Sequence, residues 1–100
     1  MATTKEFRDY VLECLSFLDE VTCKSMMGEY LLYYKGILFG GIYDNRVLVK
    51  NITENQRFQL KQTIPYLGAK AMLFLEDLEN KEFVKEIILN TCSNLPSKKK

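Results

Sequence analysis

A chain of 100 residues and 11.7 kDa has room for one domain, and 47% apolar with 27% charged residues is the composition of an ordinary globule. Histidine and tryptophan are both absent, which excludes Ser-His-Asp and Cys-His catalysis and every zinc site built on imidazole. Fourteen basic against thirteen acidic residues give a net charge of +1, and three of the basic ones are Lys98, Lys99 and Lys100. Without them the balance is slightly acidic, and a dedicated duplex-DNA binder would need a far stronger basic footprint.

The first helix is expected over about residues 4–19, because Phe7, Tyr10, Val11, Cys14, Leu15 and Leu18 recur at spacings of three and four. Thr3 and Glu6 have the spacing of a capping box at its start. From Val21 to Met27 the residues turn β-prone, and Gly28 breaks the run. Glu29 to Tyr34 and Ile37 to Tyr43 are strands rich in aromatic and branched residues, joined by Lys35-Gly36. Asp44-Asn45 then leads into a strand over 46–50, since both residues tolerate the left-handed conformations of a type I′ turn. A short helix is expected over about 54–62, with Thr53 as its N-cap and Pro65 ending it. Ala69 to Glu76 reads as a further strand. A long amphipathic helix follows, capped near Asn80 and stopped by Pro96.

The order α-β-β-β-β-α-β-α predicts an α+β fold, a two-layer sandwich in which an antiparallel β-meander is flanked by N- and C-terminal helices. One domain is expected over residues 1–96, with 97–100 a disordered basic tail. The N-terminus is charged from Lys5 onward, unlike a secretory signal, and no uncharged run, Gly36 to Tyr43 among them, is long enough for a membrane helix. Cys14, Cys23 and Cys92 are odd in number and without Cys-x-x-Cys spacing, which fits a reducing, cytoplasmic setting and buried small hydrophobes.

If the two connections are simple two-residue turns, strict alternation sorts the meander into two faces. Leu31, Tyr33, Leu38, Gly40, Ile42, Val47 and Val49 form a mostly aliphatic face suited to burial under the helices. Tyr30, Leu32, Tyr34, Ile37, Phe39, Gly41, Tyr43, Arg46, Leu48 and Lys50 form an aromatic face with two cations near its edge. Polar residues are expected on a solvated face, so this one calls for a cover. A helix of the same chain, a homodimer seam, a protein or small-molecule ligand, or stacked bases of a single strand would each supply it. Tyr30, Leu32, Tyr34, Phe39, Tyr43, Arg46 and Lys50 are the candidate binding or dimer residues. A one-residue bulge would exchange the faces, and Gly40-Gly41 is where one is expected.

Catalytic chemistry finds little purchase. A nucleophile would have to rely on Lys or a carboxylate as base, and no spacing singles out such a pair. Asp19-Glu20 and Glu76-Asp77-Glu79 sit at the ends of expected elements, where capping and solvation account for them. Gly36, Gly40 and Gly41 precede no Gly-Lys-Ser/Thr, so they form no phosphate loop. Met26-Met27 is core filler before it is a metal ligand. No enzyme activity, cofactor or metal is expected.

The stretch MMGEYLLYYKGILFGGIYDNRVLVK, residues 26–50, resembles the signature of the TfoX N-terminal domain family. A Met-x-Gly entry, here Met26 and Gly28, leads into hairpins carrying Tyr33 and Gly36, the small residues Gly40 and Gly41, Tyr43, and a closing Leu48 and Lys50. PYLGAKAMLFLEDLENKEFVKEII, residues 65–88, is similar to the family's second half, so the likeness covers about residues 4–95. It implies a secretion-chaperone-like α/β domain and a link to regulators of bacterial competence, but no catalytic residue. The second, helical domain of the full-length regulators has no counterpart here. The expected function is therefore a non-enzymatic interaction or regulatory module acting through the aromatic face or as a homodimer. The alternative is a nucleic-acid-binding accessory protein using the same face.

Overall fold

The computed structural model describes residues 3–95; the expected tail at 97–100 and the helix stop at Pro96 lie outside them. Two helices, six strands and a 3₁₀ turn follow one another as α1 (Lys5–Cys14), β1 (Val21–Met26), β2 (Glu29–Tyr34), β3 (Ile37–Ile42), β4 (Val47–Val49), the 3₁₀ segment Thr53–Phe58, β5 (Lys61–Thr63), β6 (Met72–Phe74) and α2 (Lys81–Asn94). All strands join one antiparallel sheet in the order β1-β2-β3-β4-β6-β5. The α+β class expected from the sequence is the class observed.

Local chemistry sets the boundaries. Thr4, not Thr3, caps α1 by accepting from the Phe7 amide at 3.1 Å. Thr3 is buried instead, and its amide pairs with the Gly28 carbonyl. The helix stops at Cys14 rather than near 19, where the Ser16 hydroxyl takes the Glu13 carbonyl at 2.7 Å. Leu15 and Leu18 still reach the core from the following turns. Asn80 caps α2 as expected, through Phe83 N at 3.2 Å.

Three two-residue turns link the first four strands. Met27 and Gly28, Lys35 and Gly36, and Asp44 and Asn45 all have positive φ, between 50° and 88°, the geometry of type I′ hairpins whose twist matches that of the strands. The region after β4 departs from expectation. Residues 53–58 form a 3₁₀ turn without a side-chain cap, so Thr53 is no N-cap, and left-handed Gln59 ends it. Residues 61 and 62, expected as the end of that helix, belong to β5, and the strand expected over 69–76 contracts to Met72–Phe74.

One irregularity reorganises the sheet. Leu32 pairs with Gly40 and Tyr33 with Leu38, so Phe39 is an extra residue opposite the Leu32/Tyr33 step. Beyond this bulge the alternation of β3 is reversed. The helix-facing side therefore collects Cys23, Leu32, Gly40, Val49 and Leu73 in one cross-strand row and Tyr30, Ile42 and Val47 in the next. With Phe39 and Leu75, these pack against Val11, Leu15 and Leu18 from the N-terminal segment and Val84, Ile87, Ile88 and Cys92 of α2. This is the single core, and both helices lie on the same side of the sheet.

A polar network ties α2 down. Asn55 and Thr91 are fully buried. The Asn55 amide donates to the Lys50 carbonyl at 3.0 Å and to Thr91 Oγ1 at 2.8 Å, and its oxygen accepts from Asn90 at 2.9 Å. Thr91 in turn donates to the Ile87 carbonyl, so every buried polar atom in this set has a partner.

Candidate interaction surface

The seven candidate residues do not share a face. Leu32 and Phe39 are fully buried in the core, and Tyr30 and Tyr34 pack against it. The Arg8 guanidinium of α1 stands 5.2 Å from the Tyr30 ring centre. Helices of the same chain thus cover these four. Tyr43, Arg46 and Lys50 follow the opposite parity, and Gly40, Ile42, Val47 and Val49 belong with the helix side. The bulge at Phe39 produces this exchange. The signature positions have backbone roles. Gly28 and Gly36 supply left-handed turn residues, Met26 closes β1, and a Cβ at Gly40 would lie 2.1 Å from the Leu48 carbonyl oxygen.

The side of the sheet away from the helices is built by a row that crosses all six strands. Lys24, Leu31, Gly41, Leu48, Phe74 and Lys61 pair in succession, with an apolar centre and a lysine on each edge strand. Tyr33 and Leu38 form the next pair on this side. Leu48 is fully buried yet lies outside the main core, as does Tyr43. The Tyr43 ring lies over Gly41, where a Cβ would come within 2.7 Å of Cε2; the missing side chain is the seat for the ring. Burial pushes the Tyr43 hydroxyl pKa up, with Tyr66, Glu29 and Tyr33 adding to it.

Tyr66 belongs to a feature that the sequence pattern does not announce, since Pro65 reads there as a helix stop. Ile64 is 54% exposed, Tyr66 60% and Leu67 101%, so a short loop presents three large apolar side chains to solvent. Its Tyr66 ring stands 6.1 Å from that of Tyr43, the Ala69 amide closes on the Tyr66 carbonyl at 3.0 Å, and Gly68 takes φ +88°. Pro65 is buried beneath. The signal in the sequence is four consecutive apolar residues, Ile-Pro-Tyr-Leu, running into a turn glycine, where polar residues are the rule.

Two clefts flank this loop. One, of about 440 Å³, lies among Glu29, Asp44, Arg46, Ile64, Tyr66 and Leu67. The other, of about 360 Å³, lies among Tyr43, Lys50, Asn51, Tyr66, Lys70 and Met72. Arg46 is held by bonds to the Tyr43 carbonyl at 3.2 Å and Thr63 Oγ1 at 3.1 Å. Glu29 accepts from Thr3 and from the Asp44 amide, fastening the N-terminal segment to the β3–β4 turn. On the helix side, a cleft of about 510 Å³ lies between Phe17 and the Lys81, Glu82, Lys85 and Glu86 surface of α2.

Charge separates between the layers. Residues 21–75, the sheet and its loops, carry seven Lys or Arg against three Asp or Glu, whereas 3–20 and 76–95 together carry four against ten. The strands β4, β5 and β6 contain no carboxylate. Among the described residues, no three His, Cys, Asp or Glu side chains converge as a metal requires, and no helix is long and apolar enough to cross a membrane. Burial pushes the Cys92 thiol up to about 11, away from the reactive thiolate range. Comparison with protein-family models and with curated proteins finds no match to this chain.

Proposed function

We propose that this chain is a non-enzymatic interaction module of the kind its resemblance to TfoX N-terminal domains implies, a regulatory domain of the bacterial cytoplasm that works through the outer sheet face and the Ile64–Gly68 loop. The observation that carries this reading is the loop. Three of the five exposed large apolar side chains among the described residues, Ile64, Tyr66 and Leu67, are gathered there, beside an outer row that offers the half-buried Leu31 and Phe74. Clustered exposure of this kind marks contact surfaces, whereas scattered single residues do not. On the flank of the loop that faces the β3–β4 turn, Glu29 and Arg46 are already engaged in structural bonds.

Charge favours a partner other than a second copy. Two copies docked face to face would set one basic sheet layer against another, while a protein carrying an apolar patch within an acidic rim matches both the loop and the lysines. The test is site-specific photo-crosslinking in cells, with the reactive side chain at position 67 or, as control, at 85 on the exposed side of α2. Discrete adducts to a partner with an acidic contact surface, from 67 only and lost in Tyr66→Glu, are expected. Equal labelling from both positions, or adducts indifferent to Tyr66→Glu, would overturn the reading.

A further inference from the structure

The cleft between the Ile64–Gly68 loop and the end of the β4–β6 pair has a composition of its own. Lys50 and Lys70 line it, and no carboxylate does. Neither lysine has an ion-pair partner among the described residues. Its wall is Tyr66, more than half exposed and braced at 6.1 Å by the ring of the buried Tyr43. Asn51 and Met72 also line it. A volume of about 360 Å³ falls within the range of small-ligand sites. A braced ring offering a free face suits stacking, and two unpaired ammonium groups suit an anion.

We propose that this cleft binds a nucleotide, with the base stacked on Tyr66 and the phosphate held by Lys50 and Lys70. The inference goes beyond protein docking and does not rest on it, because the cleft can fill whether or not Leu67 meets a partner. The same chemistry is offered by a free mononucleotide and by one unit of a single strand. Lys61 of β5, opposite Phe74 on β6, would meet the phosphates of a strand running onward from the cleft.

The experiment is amide NMR of the whole chain titrated with adenosine monophosphate to about 10 mM, with a labelled oligo-dT of about 12 nucleotides followed by anisotropy in parallel. Shifts confined to residues 50–52 and 66–72 are expected. Tyr66→Ala should weaken binding by about 5- to 100-fold, and Lys70→Gln should weaken it and flatten its salt dependence. Both residues are exposed, so the fold should survive, which the spectra report directly. Oligonucleotide binding far tighter than mononucleotide binding assigns the site to a strand, and equal affinities assign it to free nucleotide. No shift at these residues, or shifts that persist undiminished in Tyr66→Ala, would overturn the proposal and leave the crosslinking result from position 67 untouched.

Discussion

Asn55→Ala should lower folding stability by about 3 kcal/mol, because three bonds at a fully buried side chain disappear together. Each such neutral bond contributes about 0.5–1.5 kcal/mol net, and a buried partner left without one adds to the loss. The partners fare unequally. Asn90 keeps its bond to the Glu54 carbonyl and Thr91 keeps Ile87, whereas the Lys50 carbonyl loses its side-chain donor, which places the estimate mid-range. Urea unfolding followed by circular dichroism measures the change, and for a chain of this size the melting temperature should fall by about 15–20 °C. Asn55→Asp sharpens the test. The Thr91 hydroxyl hydrogen is committed to Ile87, so Thr91 and the Lys50 carbonyl both present lone pairs to position 55, and a carboxylate there faces two acceptors. Its folded pKa must then rise above the unfolded value of about 3.9. A raised folded pKa makes the native state hold the extra proton, so the variant is least impaired below about pH 4 and loses about 1.4 kcal/mol per pH unit above it until the folded pKa is reached. An Asn55→Ala variant within about 0.5 kcal/mol of the wild type, or an Asn55→Asp deficit independent of pH, would refute the reasoning.

Two further outcomes follow from the exchanged faces and from α1. Phe39→Glu should abolish cooperative unfolding, since it buries an unpaired charge in the core, while Leu67→Glu on the open loop should stay within about 0.5 kcal/mol of the wild type; comparable losses in denaturant titrations would place the surface wrongly. Hydrogen bonds to Cys14 and then Glu79 push the exposed Tyr10 hydroxyl up to about 12. Its folded pKa lies above the unfolded value of about 10, so the stabilising contribution is complete below that value and fades as the pH rises through the folded one. Ultraviolet titration should show a late phenol that is missing in Tyr10→Phe, and an unchanged curve in that variant would contradict the contact.

The legible parts of this fold were those fixed by strong local chemistry. Lys35-Gly36 and Asp44-Asn45 were readable as turns because few residues accept two successive left-handed conformations. Asn80 was readable as a cap. The bulge was not, because its extra residue is Phe39, a large apolar side chain that suits either face; the neighbouring glycines drew attention one position too far along. With parity reversed at that point, Tyr30, Leu32, Tyr34 and Phe39 were parted from Tyr43, Arg46 and Lys50. Strand β5 was hidden for a different reason. Lys61, Gln62 and Thr63 show no alternation, and β6 supplies the pairing that holds them.

The separation of charge and the choice of exposed residues bear on one another. Lys24 and Lys61 stand on the two edge strands, where a charge deters an added strand from another chain. That accounts for two cations without any ligand. It does not account for Lys50, which directly follows the inner strand β4, or for Lys70, which is in a loop and guards no edge. Nor does edge protection explain why Ile64, Tyr66 and Leu67 remain in solvent when Pro65, between them, is buried. A surface shaped only by the need to stay monomeric would put its polar residues on the loop and leave the end of the inner strand neutral. Here apolar side chains project from the loop and the unpaired cations line the cleft beneath it. The part of the outer face that solubility leaves unexplained is therefore this corner, where the apolar contact and the anion site meet at Tyr66.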